Sequence, residues 1–245
     1  MPKKIYTPIS LVTKEQMIEI FRLMIEEYHV SLLQMMENAG RSMAYLARKV
    51  FLDNDPAGKR ILVLAGTGGN GGGVLAAARH LQNKGAIIEV LSTRAIDDYT
   101  PASKEQFASL FKSHAKIAIG VPDSVNYEHF DLVLDGIIGY NLVGKPYGYA
   151  KAFINIANML SVPVLSMEIP SGIHPDDGII DDLYVKANAT MSLALPKASF
   201  AKEDVRDAIG RLYVADIGVP PLLFEKSFPE FEQNPLFNLA DIIEI

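Results

Sequence analysis

The chain has 245 residues, of which 49% are hydrophobic and 21% charged, so it can build a sizeable core. The absence of cysteine excludes disulfides, thiolate catalysis and cysteine-bound metals, and it is typical of a cytoplasmic protein. The net charge of −6 opposes a broad nucleic-acid-binding surface, and no apolar run reaches the ~18 residues of a membrane span or follows the N-terminus as in a signal peptide.

Two amphipathic helices are predicted first in chain order. Thr13 is a suitable N-cap for a helix from Lys14 to Tyr28, and Ser31 or a neighbour for a second one. Further along, apolar runs alternate with amphipathic segments. The predicted strands are Arg60–Ala65, Ala86–Ser92, Lys116–Ile119, Leu132–Leu134, Val162–Met167, Ala189–Leu193 and Leu212–Ala215. The predicted helices between them are Val74–Lys84, Pro101–Lys112 and Tyr149–Leu160.

This alternation predicts an α/β fold with a mostly parallel sheet and helices on both faces. Since no linker, repeat or low-complexity segment interrupts the chain, we predict a single domain over residues 1–245. The tail from Glu225 to Ile245 shows no clear pattern, and we expect an arm or a partly disordered segment there.

A glycine-rich segment follows the first predicted strand of the sheet. It has six glycines within Gly66–Gly73 and matches G-x-G-x-x-G between a strand and a helix, the context of a dinucleotide-binding loop. Glycines allow positive φ and close approach of a ligand, and a helix N-terminus presents free N–H groups to phosphate. The alternative is a tight structural turn.

The second strand lacks the usual partner of that loop. An NAD fingerprint requires an acidic residue at the end of this strand, whereas Glu89 lies inside it and the strand ends with Ser92-Thr-Arg94. An ordinary NAD(P)-dependent oxidoreductase is therefore disfavoured, and the sequence alone does not support a contact between Arg94 and a ribose 2′-phosphate.

Polar residues also follow two later strands. Asp135 ends one apolar run, and Glu168 and Ser171 follow another, at the sheet edge where open α/β folds bind ligands. Glu168 is a candidate proton-transfer group, because partial burial would raise its pKa. Asn70, Asp135 and Ser171 offer hard oxygen ligands for an alkali or alkaline-earth cation, although Asp135 and Ser171 could instead cap their own loops.

The remaining polar residues are expected mainly to support the structure. The histidines have no metal-ligand spacing, although His174 could edge the crevice, and His80 is expected in packing or at the surface. Glu37 and Asn38 interrupt an apolar helix face and are expected to hold a loop.

Six motifs in this order resemble the NAD(P)H-hydrate epimerase family, also called the YjeF N-terminal domain, over about residues 10–225, with 226–245 as a C-terminal tail. They are Met35-Met-Glu-Asn-Ala-Gly40, the Gly66–Gly73 segment with Ala77-Ala-Arg-His-Leu81, Asp135-Gly-Ile-Ile-Gly139, Ile169-Pro-Ser-Gly172, Leu195-Pro-Lys197 and Ala215-Asp-Ile-Gly218. The resemblance implies a Rossmann-like three-layer sandwich and a homodimer. It also implies repair of NADH or NADPH hydrated at C6 of the nicotinamide ring, by interconversion of the R and S forms, with a separate dehydratase consuming the S form.

The resemblance also implies site residues. It places one potassium ion per subunit at Asn70, Asp135 and Ser171, and the acid–base carboxylate at Glu168. Substrate contacts are expected from Glu168 and from two segments, which comprise Gly69, Asn70, Gly71, Gly72 and Gly73, and Gly139, Tyr140, Asn141, Leu142, Val143, Gly144 and Lys145.

The chain departs from the family pattern at four positions. Gly69 replaces an Asn, Gly73 an Asp and Val74 a Gly, and Glu168 stands where an Asp is usual. The longer side chain matters, because a misplacement of about 1 Å can cost ~100-fold in rate. The alternative function is a non-catalytic nucleotide-binding or scaffold module of the same fold.

Overall fold

A computed structural model describes residues 2–4, 9–113, 115–122, 127–231, 237–238 and 240–245. The α-helices are α1 (Lys14–Glu26), α2 (Leu32–Phe51), α3 (Gly69–Gln82), α4 (Pro101–Lys112), α5 (Gly148–Met159), α6 (Glu203–Ile209) and α7 (Pro221–Ser227). The strands are β1 (Lys3–Lys4), β2 (Arg60–Ala65), β3 (Ile87–Ser92), β4 (Lys116–Ile119), β5 (Leu132–Gly136), β6 (Val164–Met167), β7 (Ala189–Leu193), β8 (Arg211–Ala215) and β9 (Ile242–Glu244).

The described strands form one sheet in the order β1-β9-β8-β7-β6-β5-β2-β3-β4. Every neighbouring pair is parallel except β8 and β9. From β2 the chain first builds outward through β3 and β4, and it then returns to place β5 on the other side of β2. The carboxyl ends of β2 and β5 therefore flank a topological switch point, where open α/β sheets bind ligands.

Helices cover both faces of this sheet. Ile61 and Val63 of β2 belong to the larger core cluster, which contains buried residues of α1 to α4 and α7. Leu62 and Leu64 of the same strand belong to the cluster on the other face, which contains the buried side of α5. This alternation along one buried strand confirms the predicted α/β sandwich with a mostly parallel sheet.

Local signals in the sequence locate most elements correctly. β2, β4, β7 and α4 have the predicted bounds. Thr13 and Ser31 cap α1 and α2: each hydroxyl accepts from the N–H of the glutamine three residues later, and each cap N–H donates to that glutamine's side chain. The sequence did not indicate α6 or α7.

Two expectations were wrong. The helix predicted to begin at Val74 begins at Gly69, so most of the expected glycine loop is helical. The glycines are needed in this helix because its first turns pack closely on their neighbours. The C-terminal tail ends in a strand: β9 pairs with β8 and β1, which supplies its backbone with hydrogen-bond partners. Residues 232–236 and 239 of that tail lie outside the described part of the chain.

None of the described helices is both long enough and apolar enough to cross a lipid bilayer.

Candidate functional site

The switch point contains a cavity of about 270 Å³, here called the first cavity. It lies where the start of α3 meets the carboxyl ends of β5, β6 and β7, and it is closed on one side by α1 and α2. Its lining includes Gly69, Asn70, Gly139, Tyr140, Glu168 and Leu193. The structure therefore brings together predicted residues from three separate segments of the sequence.

The glycines at the start of α3 have two different roles. A Cβ atom at Gly68 or Gly69 would meet no atom within 4 Å, so this end of the helix is open to a ligand. A Cβ atom at Gly71 would lie 1.8 Å from the carbonyl oxygen of Gly66. Gly71 therefore allows the helix to pack on the preceding loop, which offsets the low helix propensity of glycine.

Gly72 and Gly73 are also packed against the interior. A Cβ atom at Gly72 would lie 2.4 Å from Met36 Sδ, and one at Gly73 would lie 2.3 Å from Met167 Sδ. The aspartate that the family carries in place of Gly73 has no room here unless Met167 moves. Within this segment, only the first residues of α3 face the first cavity.

Glu168 directly follows β6 and is the central residue of a three-residue turn. Its φ is +66°, and the N–H of Ile169 donates to the carbonyl oxygen of Met167 at 2.8 Å. A positive φ at a residue with a side chain costs roughly 1–3 kcal/mol, and such residues cluster at functional sites. This turn places Glu168, which is only 1% exposed, in the lining of the first cavity.

Lys197 is the cation next to Glu168. It is completely buried, and its Nζ lies 3.4 Å from Oε1 of Glu168. The same ammonium donates to the carbonyl oxygens of Leu193 and Leu195, at 3.3 and 3.1 Å. These carbonyls belong to a second three-residue turn, centred on Ala194 with a φ of +60°. Two neighbouring turns of the same kind thus hold the two ends of a buried ion pair.

Burial dominates the ionisation of this pair. It raises the pKa of the Glu168 carboxyl, and Lys197 opposes that rise by stabilising the anion. Burial also lowers the pKa of the Lys197 ammonium. Neither carboxylate oxygen of Glu168 accepts a hydrogen bond of normal geometry from a described residue, although the Asn70 side chain and the Tyr140 N–H lie near enough to favour the anion. A raised pKa and unused lone pairs suit a carboxyl that takes up and returns a proton.

Tyr140 and Asn70 complete the polar part of the first cavity. The Tyr140 ring stacks on Phe21 with a centroid distance of 5.7 Å. Burial and the negative charge of Glu168 raise the pKa of Tyr140 to about 12, so its phenol stays neutral and can donate a hydrogen bond. Asn70 donates its Nδ2 to the carbonyl oxygen of Met167 at 2.9 Å.

The predicted segment from Gly139 to Lys145 divides between two cavities. Gly139, Tyr140 and Asn141 line the first cavity. A second cavity of about 1000 Å³ is lined by Leu142, Val143 and Lys145, and by Gly139 and Asn141 again. Gly144 has a φ of +66° and open space around it.

Asp135 is fully buried near the carboxyl end of β5. Its Oδ2 accepts from the hydroxyl of Ser166 at 2.8 Å and from the N–H of Ser171 at 2.9 Å. Its Oδ1 accepts from the hydroxyl of Ser171 at 2.5 Å and from the N–H of Ile137 at 3.2 Å. Burial nevertheless raises the pKa of Asp135, and in the part of the chain that the structure describes no cationic side chain pairs with it.

These residues fit a cation chemically. The carboxylate of Asp135 and the hydroxyl of Ser171 are in contact. Ser171 Oγ also accepts from the N–H of Ile138 at 2.9 Å. The next residue, Gly139, lies against the side-chain amide of Asn70. All of these ligands are oxygen donors, and the one anionic group lacks a counter-charge among the described residues.

Two of the titratable residues singled out in the sequence, Glu89 and His174, are structural. Glu89 is buried and pairs with Arg60 and with Lys116, so it is not a ribose-binding acid. His174 lines neither cavity, which contradicts its hypothesised place at the crevice; its Nδ1 instead accepts from the N–H of Asp177 at 3.1 Å.

Glu37 and Asn38 of α2 were expected to hold a loop. Glu37 joins α2 to α3 through Arg79 and His80, at 2.6 and 2.8 Å, and is only partly buried. Asn38 donates to the carbonyl oxygen of Ile217 at 3.3 Å and thereby holds that loop, as expected.

The position of Lys197 could not be predicted from the sequence. The motif Leu195-Pro-Lys197 pointed to it only as part of a resemblance and gave it no role. A lysine four residues after a buried strand is usually exposed, so local sequence gave no reason to place its ammonium beside Glu168.

Comparisons with known proteins agree with this picture. Residues 32–199 match the family described as YjeF-related protein N-terminus. The chain is 36% identical over 220 residues to an NAD(P)H-hydrate epimerase of Dehalogenimonas lykanthroporepellens, covering 89% of this chain and 86% of that protein. It is 32% identical over 219 residues to the bifunctional NAD(P)H-hydrate repair enzyme Nnr of Moorella thermoacetica, covering 87% of this chain but 41% of that protein.

The crystal structure of the yeast protein YNL200c has a similar fold. Its TM-score is 0.81 at 23% identity, and the match covers 97% of this chain and 100% of that one.

Proposed function

The chain belongs to the family of YjeF-related protein N-termini, and on that basis we propose that it is an NAD(P)H-hydrate epimerase, an isomerase of cofactor repair. Its substrates are the R and S forms of hydrated NADH and NADPH. The observation that carries this proposal is the buried carboxyl of Glu168, which lines a cavity at the switch point and accepts no normal hydrogen bond from a described residue.

The substrate itself defines what the enzyme must do. In hydrated NAD(P)H, C6 of the nicotinamide ring bears a hydroxyl group and is bonded to the ring nitrogen. Loss of the hydroxyl proton allows the C6–N bond to break, which gives an aldehyde and leaves the electron pair on a nitrogen conjugated with the carboxamide. Closure on the opposite face of the aldehyde and return of the proton give the other epimer. The sequence of steps is balanced without an oxidant, a reductant or a net proton.

Glu168 is the group that removes and returns this proton. Its raised pKa brings the carboxyl closer to the balance between acid and base that this exchange requires. Lys197 opposes the rise, because its positive charge favours the anionic form of the carboxyl. The neutral phenol of Tyr140 and the amide of Asn70 line the same cavity and would orient the ring through hydrogen bonds.

We also propose one potassium ion per subunit, held by Asn70, Asp135 and Ser171. Support comes from the resemblance and from the buried carboxylate of Asp135, which has hydrogen bonds but no described cationic partner. When bound, the ion would supply positive charge beside this carboxylate and hold the loops after β5 and β6 in place.

The remaining proposals rest on the resemblance and on composition. They are a single domain, a cytoplasmic location, a homodimer, and cooperation with a separate NAD(P)H-hydrate dehydratase. The similarity to one part of a bifunctional repair enzyme supports the last of these.

The direct test is epimer interconversion by the purified full chain. NADPH hydrate enriched in one epimer is incubated with the protein, and the two forms are separated by chromatography over time, with a protein-free sample giving the spontaneous rate. The proposal predicts equilibration well above the spontaneous rate in both directions. Equilibration at the spontaneous rate with intact nucleotide binding would favour the non-catalytic binding module instead.

A further inference from the structure

The first cavity is too small for a whole dinucleotide. Its volume of about 270 Å³ is at the lower end for small-ligand pockets, so it suits a single ring with its ribose. The second cavity, of about 1000 Å³, shares Gly68, Ile137, Gly139 and Asn141 with it. The two cavities are therefore adjacent.

Together they run along the carboxyl edge of the sheet. The first cavity includes Glu168 after β6, and the second includes residues at the ends of β2, β3 and β4. The strand order β6-β5-β2-β3-β4 contains four spacings of about 4.8 Å, or about 19 Å in all. A groove of this length suits an extended ligand.

Arg94 is the unpaired cation of the second cavity. It follows β3, is exposed, and forms no ion pair with any residue that the structure describes. The other basic residue in this lining, Lys145, is paired with Asp181. In dinucleotide-binding folds, the end of the second strand recognises the adenosine ribose, and an arginine there accommodates a 2′-phosphate.

The far end of the second cavity is apolar and aromatic. Ile119, at the end of β4, is 56% exposed, and Tyr149 is 49% exposed. The Tyr149 ring stacks on buried Phe153 with a centroid distance of 6.3 Å and packs over Gly120, where a Cβ atom would lie 2.5 Å from the ring. A fixed aromatic ring and an aliphatic side chain are suited to cover a purine base.

We propose that the second cavity binds the adenosine diphosphate part of the substrate, with Arg94 on the ribose 2′-phosphate and adenine between Ile119 and Tyr149. The inference rests on the proposed function and deepens it, because Arg94 then makes hydrated NADPH the preferred substrate over hydrated NADH. The open backbone at Gly68 and Gly69 lies between the two cavities, where the diphosphate would pass.

The test uses adenosine 2′,5′-bisphosphate and adenosine 5′-monophosphate as probes in calorimetric titrations of the full chain. Wild type is expected to bind the bisphosphate about tenfold more tightly. Arg94 can form a charge-assisted hydrogen bond with its 2′-phosphate, whereas the monophosphate has only a neutral 2′-hydroxyl at that position. Arg94→Ala should reduce this ratio to about one and leave the monophosphate affinity unchanged within about twofold. Tyr149→Ala should weaken both probes equally.

Arg206→Ala is the matched control, because it removes the same charge from an exposed position on α6, away from both cavities. It should keep the wild-type ratio, and thermal unfolding should show that all variants fold. If Arg94→Ala keeps the ratio, or if wild type does not discriminate between the probes, the inference is wrong. Neither probe contains nicotinamide, so these outcomes are independent of whether the protein epimerises hydrated NADPH.

Discussion

Replacing Lys197 by methionine should show how the buried ion pair sets the acid–base behaviour of Glu168. Lys197→Met removes the ammonium 3.4 Å from Oε1 of Glu168 and keeps a side chain of similar length in a fully buried position. Because Lys197 lowers the pKa of Glu168 against the effect of burial, its loss should raise that pKa further.

The separation of the charges gives the magnitude. At 3.4 Å and an effective dielectric constant of about 20, their attraction is about 5 kcal/mol. Relaxation and water entry will reduce this value, but a third of it still exceeds the ~1.4 kcal/mol that corresponds to one pH unit. The acidic limb of the pH–rate profile should therefore move up by at least about one pH unit.

Stability should follow the same titration. In Lys197→Met the folded-state pKa of Glu168 lies further above its unfolded value, so the protonated carboxyl is the form that the fold favours. Its stabilising effect is present below the unfolded pKa and is lost as pH rises through the folded pKa. The stability deficit of the variant should accordingly be small at pH values of about 5 and approach ~3–5 kcal/mol in alkaline buffer.

The assays are the pH–rate profile of epimerisation and thermal unfolding across the same pH range. Lys202→Met is the matched control, because Lys202 is an exposed lysine that donates to the carbonyl oxygen of Asp177. It should leave both profiles in place. A Lys197→Met profile that overlays wild type, or a stability deficit that is independent of pH, would refute the reasoning.

Three further predictions concern the glycines, the cation and the phenol. Gly71→Val should destabilise the protein by several kcal/mol in thermal unfolding, because the new Cβ atom would meet the Gly66 carbonyl oxygen. Gly69→Ala should keep the melting temperature and weaken only NADP⁺ binding, because a Cβ atom there meets no protein atom. Wild type should melt at a higher temperature in potassium than in tetramethylammonium buffer, and Asp135→Asn should not; identical wild-type curves would count against the ion. Tyr140→Phe should raise KM several-fold without moving the acidic limb, since the phenol has a pKa of about 12; a moved limb would show that it titrates with Glu168.

The sequence predicts the parts of this fold that depend on local interactions. The apolar run of β2 and the N-caps at Thr13 and Ser31 are local features, and the structure has all three where the sequence places them. The start of α3 is different. Helix propensity argues against four glycines in its first turns, and the deciding contact is between Gly71 and the Gly66 carbonyl, which exists only after the loop and helix have packed.

Long-range contacts explain the other failures. β9 is three residues long and is stabilised by pairing with β8 and β1, which no local pattern can reveal. For the candidate site, family motifs named Glu168 and Asn70, and the fold places both in one cavity. The partner of Glu168 was not predictable, because the contact depends on two turns that follow different strands. One turn carries Glu168, and the carbonyls of the other, around Ala194, accept from the Lys197 ammonium.

The most direct test of the central claim is the epimerisation rate of Glu168→Gln beside wild type. The amide keeps the shape of the side chain but cannot take up and return the proton, so we expect a loss of ~100-fold or more. NADP⁺ titration and thermal unfolding check binding and folding. Because Lys197 would stay buried without a counter-charge, the double variant Glu168→Gln, Lys197→Met provides a second inactive form with a neutral interior. Equal epimerisation by wild type and either variant would contradict the assignment of Glu168.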